Sequence, residues 1–256
     1  MFFRKKPVDK SLEVWYNMSV DARKLDFPSL NRAIRECGES CEIDGCIGQR
    51  FIAAGMKDVS VRINGIPGNA LGAYLSGAEI FVNGNAQDAV GDTMNDGLIV
   101  VGGNIGDAAG YAMRGGRIYV RGNAGYRAGI HMKEYKEKKP VIVIGGRAGS
   151  FLGEYQAGGL IVVLGLHTDG KPVVGNFPCT GMHGGKMFIR GDVSDVVFPD
   201  RVNPVPATDE DMAEIEPYLR EWCRNFGKDP EQILAGAFTV VTPDSRNPYK
   251  QMYVAN

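Results

Sequence analysis

The sequence predicts an all-β solenoid: a parallel β-helix of about seven coils with a 19-residue period, carrying short helical flanking segments. Short apolar stretches recur between Val59 and Gly191, reading VSVRI, EIFV, LIVV, RIYV, VIVI, LIVV and KMFI. One inner position of each, Val61, Ile80, Ile99, Ile118, Ile142, Ile161 and Met187, falls at spacings of 19, 19, 19, 24, 19 and 26. A fixed period broken only by extra residues marks stacked copies of one small unit. The glycines keep the same clock. Gly65, Gly68 and Gly72 are matched by Gly103, Gly106 and Gly110, by Gly122, Gly125 and Gly129, and by Gly146, Gly149 and Gly153. One copy departs, with Gly84 and Gly91 flanking Gln87 where the middle glycine belongs. Glycine serves where the backbone takes positive φ or where neighbouring backbones crowd, so these positions read as corners of a repeated turn.

Each apolar stretch is too short for a helix, is rich in β-branched residues and is bounded by glycine, so it reads as strand. Every unit runs strand first and glycine corners after, which suits parallel in-register stacking better than a hairpin meander. At about 3.3 Å per residue, one unit has roughly 60 Å of contour, enough for one coil with its neighbours about 4.8 Å away. The interior is narrow: Ala70, Ala89, Ala108, Ala124, Ala128 and Ala148 fill the segments between glycines. Asn85, Asn104 and Asn123 each follow the first glycine of a unit. They suit either an asparagine ladder along the axis or solvated turns that tolerate positive φ.

The chain divides into three segments: 1–58, an arm, a short helix and a cap; 59–195, the solenoid; and 196–256, a linker, a helix and a tail. The arm holds Trp15 and Tyr16. Asp26 before Phe27 and Pro28, apolar Leu30, Ile34 and Cys37, and then Gly38 give a capped amphipathic helix. Residues 41–58 read as an irregular strand pair covering the first rung, because an open end of stacked strands exposes unpaired backbone groups. After Gly191 the pattern stops, and residues 200–206 read as a proline-bearing linker. Thr208 with Asp211 starts a helix through Phe226, interrupted or kinked at Pro217, with Gly227 after its end. A tail from Asn247 to Tyr253 is expected to fold back over the helix end or to reach a partner.

The 256 residues carry a net charge of −1 and a pI near 6.3. No basic field invites nucleic acid, and the longest apolar run, Gly158 to Leu166, is far short of the roughly 20 residues that span a bilayer. The first residues lack the apolar region and cleavage site of a secretory signal, so a cytoplasmic protein is expected. Five cysteines, an odd number, favour reduced thiols. Cys37, Cys41 and Cys46 raise a metal question, but their C-x3-C-x4-C spacing matches no strong ligand pattern.

Two insertions break the period, one at 130–140 and one at 167–183. Insertions must leave a coil as loops, and loops are common binding surfaces. The candidates for docking a partner are His131, Lys133, Glu134, Tyr135, Lys136 and His183; a solvated charged face is the plainer reading of the same residues. His131, His167 and His183 lie in or beside the insertions without metal-ligand spacing. The run Gly165 to Lys171 begins like a phosphate-binding loop, then fails at Pro172, where a hydroxyl should meet Mg²⁺ and a helix should start. Ser150 has neither the elbow context nor a paired histidine of a nucleophile. No catalytic, cofactor-binding or metal-binding residue is therefore assigned.

The run from Gly84 to Gly97, with Gly110 to Gly116, Gly125 to Lys136 and Thr180 to Gly185, closely resembles the Gly-x-x-Gly-x-x-x-Gly domain that ends the large, alpha subunit of glutamate synthase. The likeness covers about residues 40–195 and includes the words between repeats. It implies a right-handed parallel β-helix that braces other domains and carries no catalytic residue itself. In that family an amidotransferase hydrolyses glutamine, and a flavin domain with an iron–sulfur cluster reductively aminates 2-oxoglutarate. The resemblance thus implies a separately encoded scaffold subunit with no cofactor of its own. FMN and the iron–sulfur cluster are expected on its partners, a glutamine amidotransferase and a flavin-dependent synthase subunit. One subunit of the tungsten or molybdenum formylmethanofuran dehydrogenase shares the glycine repeat and is the alternative. A hexapeptide-repeat acyltransferase would count 18 per coil instead of 19.

Overall fold

The computed structural model describes residues 18–244. Trp15, Tyr16 and the tail from Asn247 to Tyr253 lie outside the described residues. Among the described residues the strands form one 11-stranded sheet that follows chain order except at its last two strands, which are exchanged. Seven of them are the predicted strands: β3 (Ser60–Ile66), β4 (Ser76–Val82), β5 (Asp96–Val101), β6 (Arg117–Val120), β7 (Val141–Ile144), β8 (Ala157–Val163) and β9 (Gly184–Arg190). All pair in parallel, and the register follows the sequence period. Val61 faces Ile80, Ile80 faces Ile99, and so on through Ile118, Ile142, Ile161 and Met187. The result is a β-solenoid of about seven turns.

The ladder starts one coil earlier than expected. The stretch read as an irregular strand pair is a single strand, β2 (Ser40–Ile47), parallel to β3 with Cys41 opposite Val61. Its departures from the repeat, Gly45 and a register shift between Asp44 and Cys46, hid it. Short β1 (Ser19–Asp21) pairs with β2 in turn. Helix α1 (Phe27–Glu36) follows its predicted signals: Asp26 accepts from Ser29 N at 2.9 Å, and Cys37 caps the end. Leu30, Ala33, Ile34 and Cys37 pack into the solenoid core at this end.

The other end is capped differently. The proline-bearing linker is in fact strand β10 (Val202–Pro206), antiparallel to β11 (Phe238–Pro243), which is itself antiparallel to β9. Proline is compatible with an edge strand, whose outward N–H groups need no ladder partner, and Pro204 and Pro206 stand on this edge. Helix α2 (Asp209–Phe226) begins at a full capping box, Thr208 with Asp211, and ends at left-handed Gly227. It runs through Pro217 as one helix. Short α3 (Pro230–Leu234) joins it to β11.

The outer face of the sheet explains where α2 lies. On β2 to β4 the outward side chains include Glu42, Arg62 and Glu79. On β5 to β9 they include Leu98, Val100, Tyr119, Val141, Val143, Leu160, Val162 and Phe188, and these form a second core with Ile215, Leu219, Trp222 and Cys223 of α2. Strands apolar on both faces must be covered on both. The Trp222 indole donates to Val120 O at 3.0 Å, and Tyr119 donates to Glu221 at 2.7 Å, so the polar tips of these aromatics are satisfied.

Candidate functional site

The glycines divide into two classes by what they do. At each coil's corner three alternate residues are left-handed: Phe51, Ala53 and Gly55 in the first coil, then for example Ala89, Gly91 and Thr93, and Phe177, Cys179 and Gly181 in the last. The central member faces the interior, where a Cβ at Gly91 would stand 2.6 Å from Ile118 Cδ1. The outer members donate to the next coil, as Ala89 N does to Asp107 O at 2.8 Å, while Gly91 N donates back to Leu71 O at 2.8 Å. Those bonds hold ordinary residues in a conformation that L side chains rarely adopt.

The other glycines, such as Gly106, Gly122 and Gly125, make room for side chains. Asn85 Oδ1 accepts from Asn104 N, Asn104 from Asn123 N and Asn123 from Arg147 N, each at 2.8 Å. A second ladder runs beside it, with Asp88 accepting from Asp107 N at 2.9 Å and Asp107 from Tyr126 N at 2.8 Å. A Cβ on Gly122 would overlap Asn104 Oδ1, and one on Gly125 would overlap Asp107 Oδ1. The asparagines thus form a ladder of side chain to backbone, and no stack of amide upon amide is needed. Gln87 stands where the ladder is loose, Asn69 Oδ1 reaching Asp88 N only at 3.4 Å.

With the glycines absorbed by the coil, the two insertions are where chemistry is exposed, and they converge. A cavity of about 500 Å³ is lined by Lys133 and Glu134 of the first, His183 at the end of the second, Gly158 and Gly159 of β8, and Lys186 of β9. Met132, fully buried, anchors the first insertion. Glu134 Oε1 accepts from Gly159 N at 3.0 Å, tying the loop to the next coil, and Tyr135 and Lys138 close its tip as a small antiparallel bridge. His183 Nδ1 lies 2.9 Å from Gly181 O; a carbonyl only accepts, so Nδ1 is the donor of this bond.

A charge network braces the rim. Lys186 Nζ reaches Asp211 at 2.7 Å and Glu214 at 2.9 Å, and Lys139 reaches Glu214 at 2.7 Å. Burial works to raise the carboxyl groups of Asp211 and Glu214, yet hydrogen bonds from Lys186, with Lys139 on Glu214 and Thr208 on Asp211, leave both below the ordinary carboxylate range. The Lys139 ammonium is held above its ordinary value by Glu214.

Of the predicted docking residues, then, Lys133, Glu134 and His183 meet at one cavity. Tyr135 and Lys136 stand exposed at the loop tip, with Lys136 Nζ 5.4 Å from the Tyr135 ring centroid. His131 belongs to a separate exposed stack, 5.1 Å from Tyr155 and 5.9 Å from Tyr111 between ring centroids. The sequence reading missed that stack, although His131 and Tyr155 occupy the same corner position of consecutive coils. It also missed Lys186, Asp211 and Glu214, whose meeting depends on α2 returning across the sheet. The loop from Gly165 to Lys171 is not followed by a helix. Among the described residues, no three His, Cys, Asp or Glu side chains come together as a metal cluster.

The profile of the family described as "GXGXG motif" matches residues 29–244. The chain belongs to the GXGXG motif family. This is the domain type found at the C-terminus of the glutamate synthase large subunit. A full-length relative is the protein named "Uncharacterized protein MJ1350" of Methanocaldococcus jannaschii, 43% identical over 248 residues, covering 91% of this chain and 95% of the relative. Among solved structures, a chain of the formyltransferase/hydrolase complex FhcABCD from Methylorubrum extorquens, in complex with methylofuran, shares the fold. The TM-score is 0.56 with 20% identity, over 78% of this chain and 71% of that one. No helix among the described residues is long and apolar enough to cross a membrane.

Proposed function

We propose that this chain is a noncatalytic scaffold subunit of a glutamate synthase complex, the oxidoreductase that makes glutamate from glutamine and 2-oxoglutarate in nitrogen assimilation. It acts in the cytoplasm by bracing a glutamine amidotransferase and a flavin-dependent synthase subunit. FMN and the iron–sulfur cluster belong to those partners. The observation that carries this reading is that both interruptions of an otherwise regular coil line one cavity, through Lys133, Glu134 and His183. A regular stack needs no loop there, and a braced loop with charged and aromatic groups gives a partner something specific to hold. Family membership supports the same reading.

The test is affinity purification of the tagged full chain from its native host, with identification of stoichiometric partners and a glutamate synthase assay on the eluate. Recovery of an amidotransferase and a flavoprotein synthase, with glutaminase activity and flavin absent from the chain once stripped of partners, is expected. Recovery of a tungsten or molybdenum formylmethanofuran dehydrogenase in their place would transfer the scaffold role to that enzyme. Stoichiometric flavin or iron on the stripped chain would overturn it.

A further inference from the structure

The first insertion leaves a surplus of positive charge on the rim it builds. Lys133 through Lys139 holds four lysines and two glutamates. Much of the charge nearby is already matched: Lys138 pairs with Asp96 at 2.8 Å, Lys139 with Glu214 at 2.7 Å, and Lys186 with Asp211 and Glu214. Glu134 is tied to Gly159 N. Arg114, Lys133 and Lys136 are exposed, and none of them pairs with a carboxylate among the described residues. The three are neighbours. Arg114 N donates to Met94 O at 2.8 Å and Lys133 N to Met113 O at 3.0 Å, which sets Lys133 over Arg114, one coil on. The tip then folds back beside the earlier coil, where a Cβ on Gly115 would stand 2.9 Å from Lys138 Cβ. Lys136 lies 5.4 Å from the Tyr135 ring centroid, a contact that orients the ammonium without neutralising it. Against these three cations stands Glu137, the one carboxylate of the loop with no bonded partner among the described residues.

Resting on the scaffold reading but not on which enzyme is braced, we propose that this rim receives an acidic segment of a partner subunit, whose Asp or Glu carboxylates meet Arg114, Lys133 and Lys136. An exposed cation with no internal partner loses hydration when a surface covers it, and an opposite charge is what offsets that loss. A neutral or basic surface would leave three charges covered and unpaired. Nucleic acid is the competing polyanion, but the rim gives a phosphate backbone little length. Asp96, Glu137 and Glu214 flank the cations, and the whole chain carries a net charge of −1. A short carboxylate-bearing segment fits between these acids, where a run of phosphates would meet them.

The native complex, purified from its host through the tagged full chain, is treated with a carbodiimide, which joins lysine ammonium groups to carboxylates in contact. It is then digested and mapped by mass spectrometry. Lys138 with Asp96, Lys139 with Glu214 and Lys186 with Asp211 touch within the chain and serve as internal markers. Expected are links from Lys133 and Lys136 to Asp or Glu residues of the partner. The variant carrying Arg114→Gln, Lys133→Gln and Lys136→Gln loses no ion pair within the chain and keeps its fold. It is expected to bind the purified partner at least about tenfold more weakly at low salt, the difference closing as salt rises. Markers present with Lys133 and Lys136 unlinked, or equal affinity at low salt, would overturn the proposal. So would nucleic acid that leaves the chain only on nuclease treatment. The partner's identity is read separately. A partner outside glutamate synthase that is linked at Lys133 removes the glutamate synthase reading and leaves the acidic segment standing, whereas an unlinked glutamate synthase does the reverse. A chain that emerges without a partner overturns both.

Discussion

Gly122 is glycine because a side chain from the preceding coil occupies the place of its Cβ. Asn104 Oδ1 sits there to accept from Asn123 N at 2.8 Å, and Gly103 O lies 2.8 Å from the same position. Two variants separate these roles. Asn104→Ala removes one acceptor at a solvated site and is expected to cost about 1 kcal/mol. Gly122→Ala forces a methyl into occupied space and is expected to cost about 1–3 kcal/mol, the larger of the two. Because both substitutions act on one contact, the double variant should lose less than the sum of the singles. Equilibrium denaturation reads all three; strict additivity would refute the shared contact. The recurrence of these glycines was legible in the sequence, and so was the asparagine row. The aspartate row through Asp88 and Asp107 was not, because aspartate on a surface turn has a sufficient local explanation in solvation. Nor could the left-handed alanines of the corners be read, since alanine carries no mark of positive φ; a hydrogen bond to the next coil and one within the turn hold Ala89 and Ala108 there.

Among the elements, α2 shows how far local signals reach. Its start at Thr208 and Asp211 and its end at Gly227 were written in the sequence, because a cap is a bond between near neighbours. Its destination was written only in the strands: Val141, Val143, Leu160 and Val162 make β7 and β8 apolar on the outer face as well as the inner. β10 went unread because its prolines argue against a strand unless the strand is known to be an edge. The ion pairs that fasten α2 to the insertion rim give a prediction in pH. Asp211 and Glu214 both lie below the ordinary carboxylate values of 3.8 and 4.5 in the folded chain. Groups depressed on folding stabilise the fold above their unfolded values, and that stability is lost as pH falls through the folded ones. Stability is therefore expected to be level near neutral pH and to drop below about pH 4.5, with Lys186→Met showing a shallower drop because the partner is already gone. Trp222 fluorescence in a Trp15→Phe background follows α2 as it leaves the sheet, since Trp222 is buried against it. An equal acid slope in wild type and Lys186→Met would show that Lys186 does not hold these carboxylates.

At the scale of the whole molecule the period was the most legible feature, because stacking in register forces each coil to the same length and any excess must leave as a loop. Counting predicted the pairing from Val61 through Met187, while the end coils, where Gly45 and a register shift disturb β2, fell outside the count. Counting also says which residues are dispensable to the coil. The interval from Ile118 to Ile142 exceeds the period by five, and residues 134–138 form the tip that lies beyond the buried Met132 anchor. Deleting Glu134 through Lys138, so that Lys133 joins Lys139, restores the period. The deletion removes the exposed Lys138–Asp96 pair at 2.8 Å and the Glu134 bond to Gly159, losses of about 0–1 kcal/mol and about 1 kcal/mol. The shortened chain is expected to keep its far-ultraviolet circular dichroism and to unfold within a few degrees of the parent, because the rungs on either side are untouched. Its capture of partner subunits is expected to fall at least about tenfold, the loss of about 1.4 kcal/mol of binding. The full-length variants Lys133→Glu and Tyr135→Ala, which leave the coil length alone, should weaken capture in the same direction. Undiminished capture by all three would mean that partners grip the solenoid elsewhere, and the exposed stack of Tyr111, His131 and Tyr155 would become the next surface to mutate.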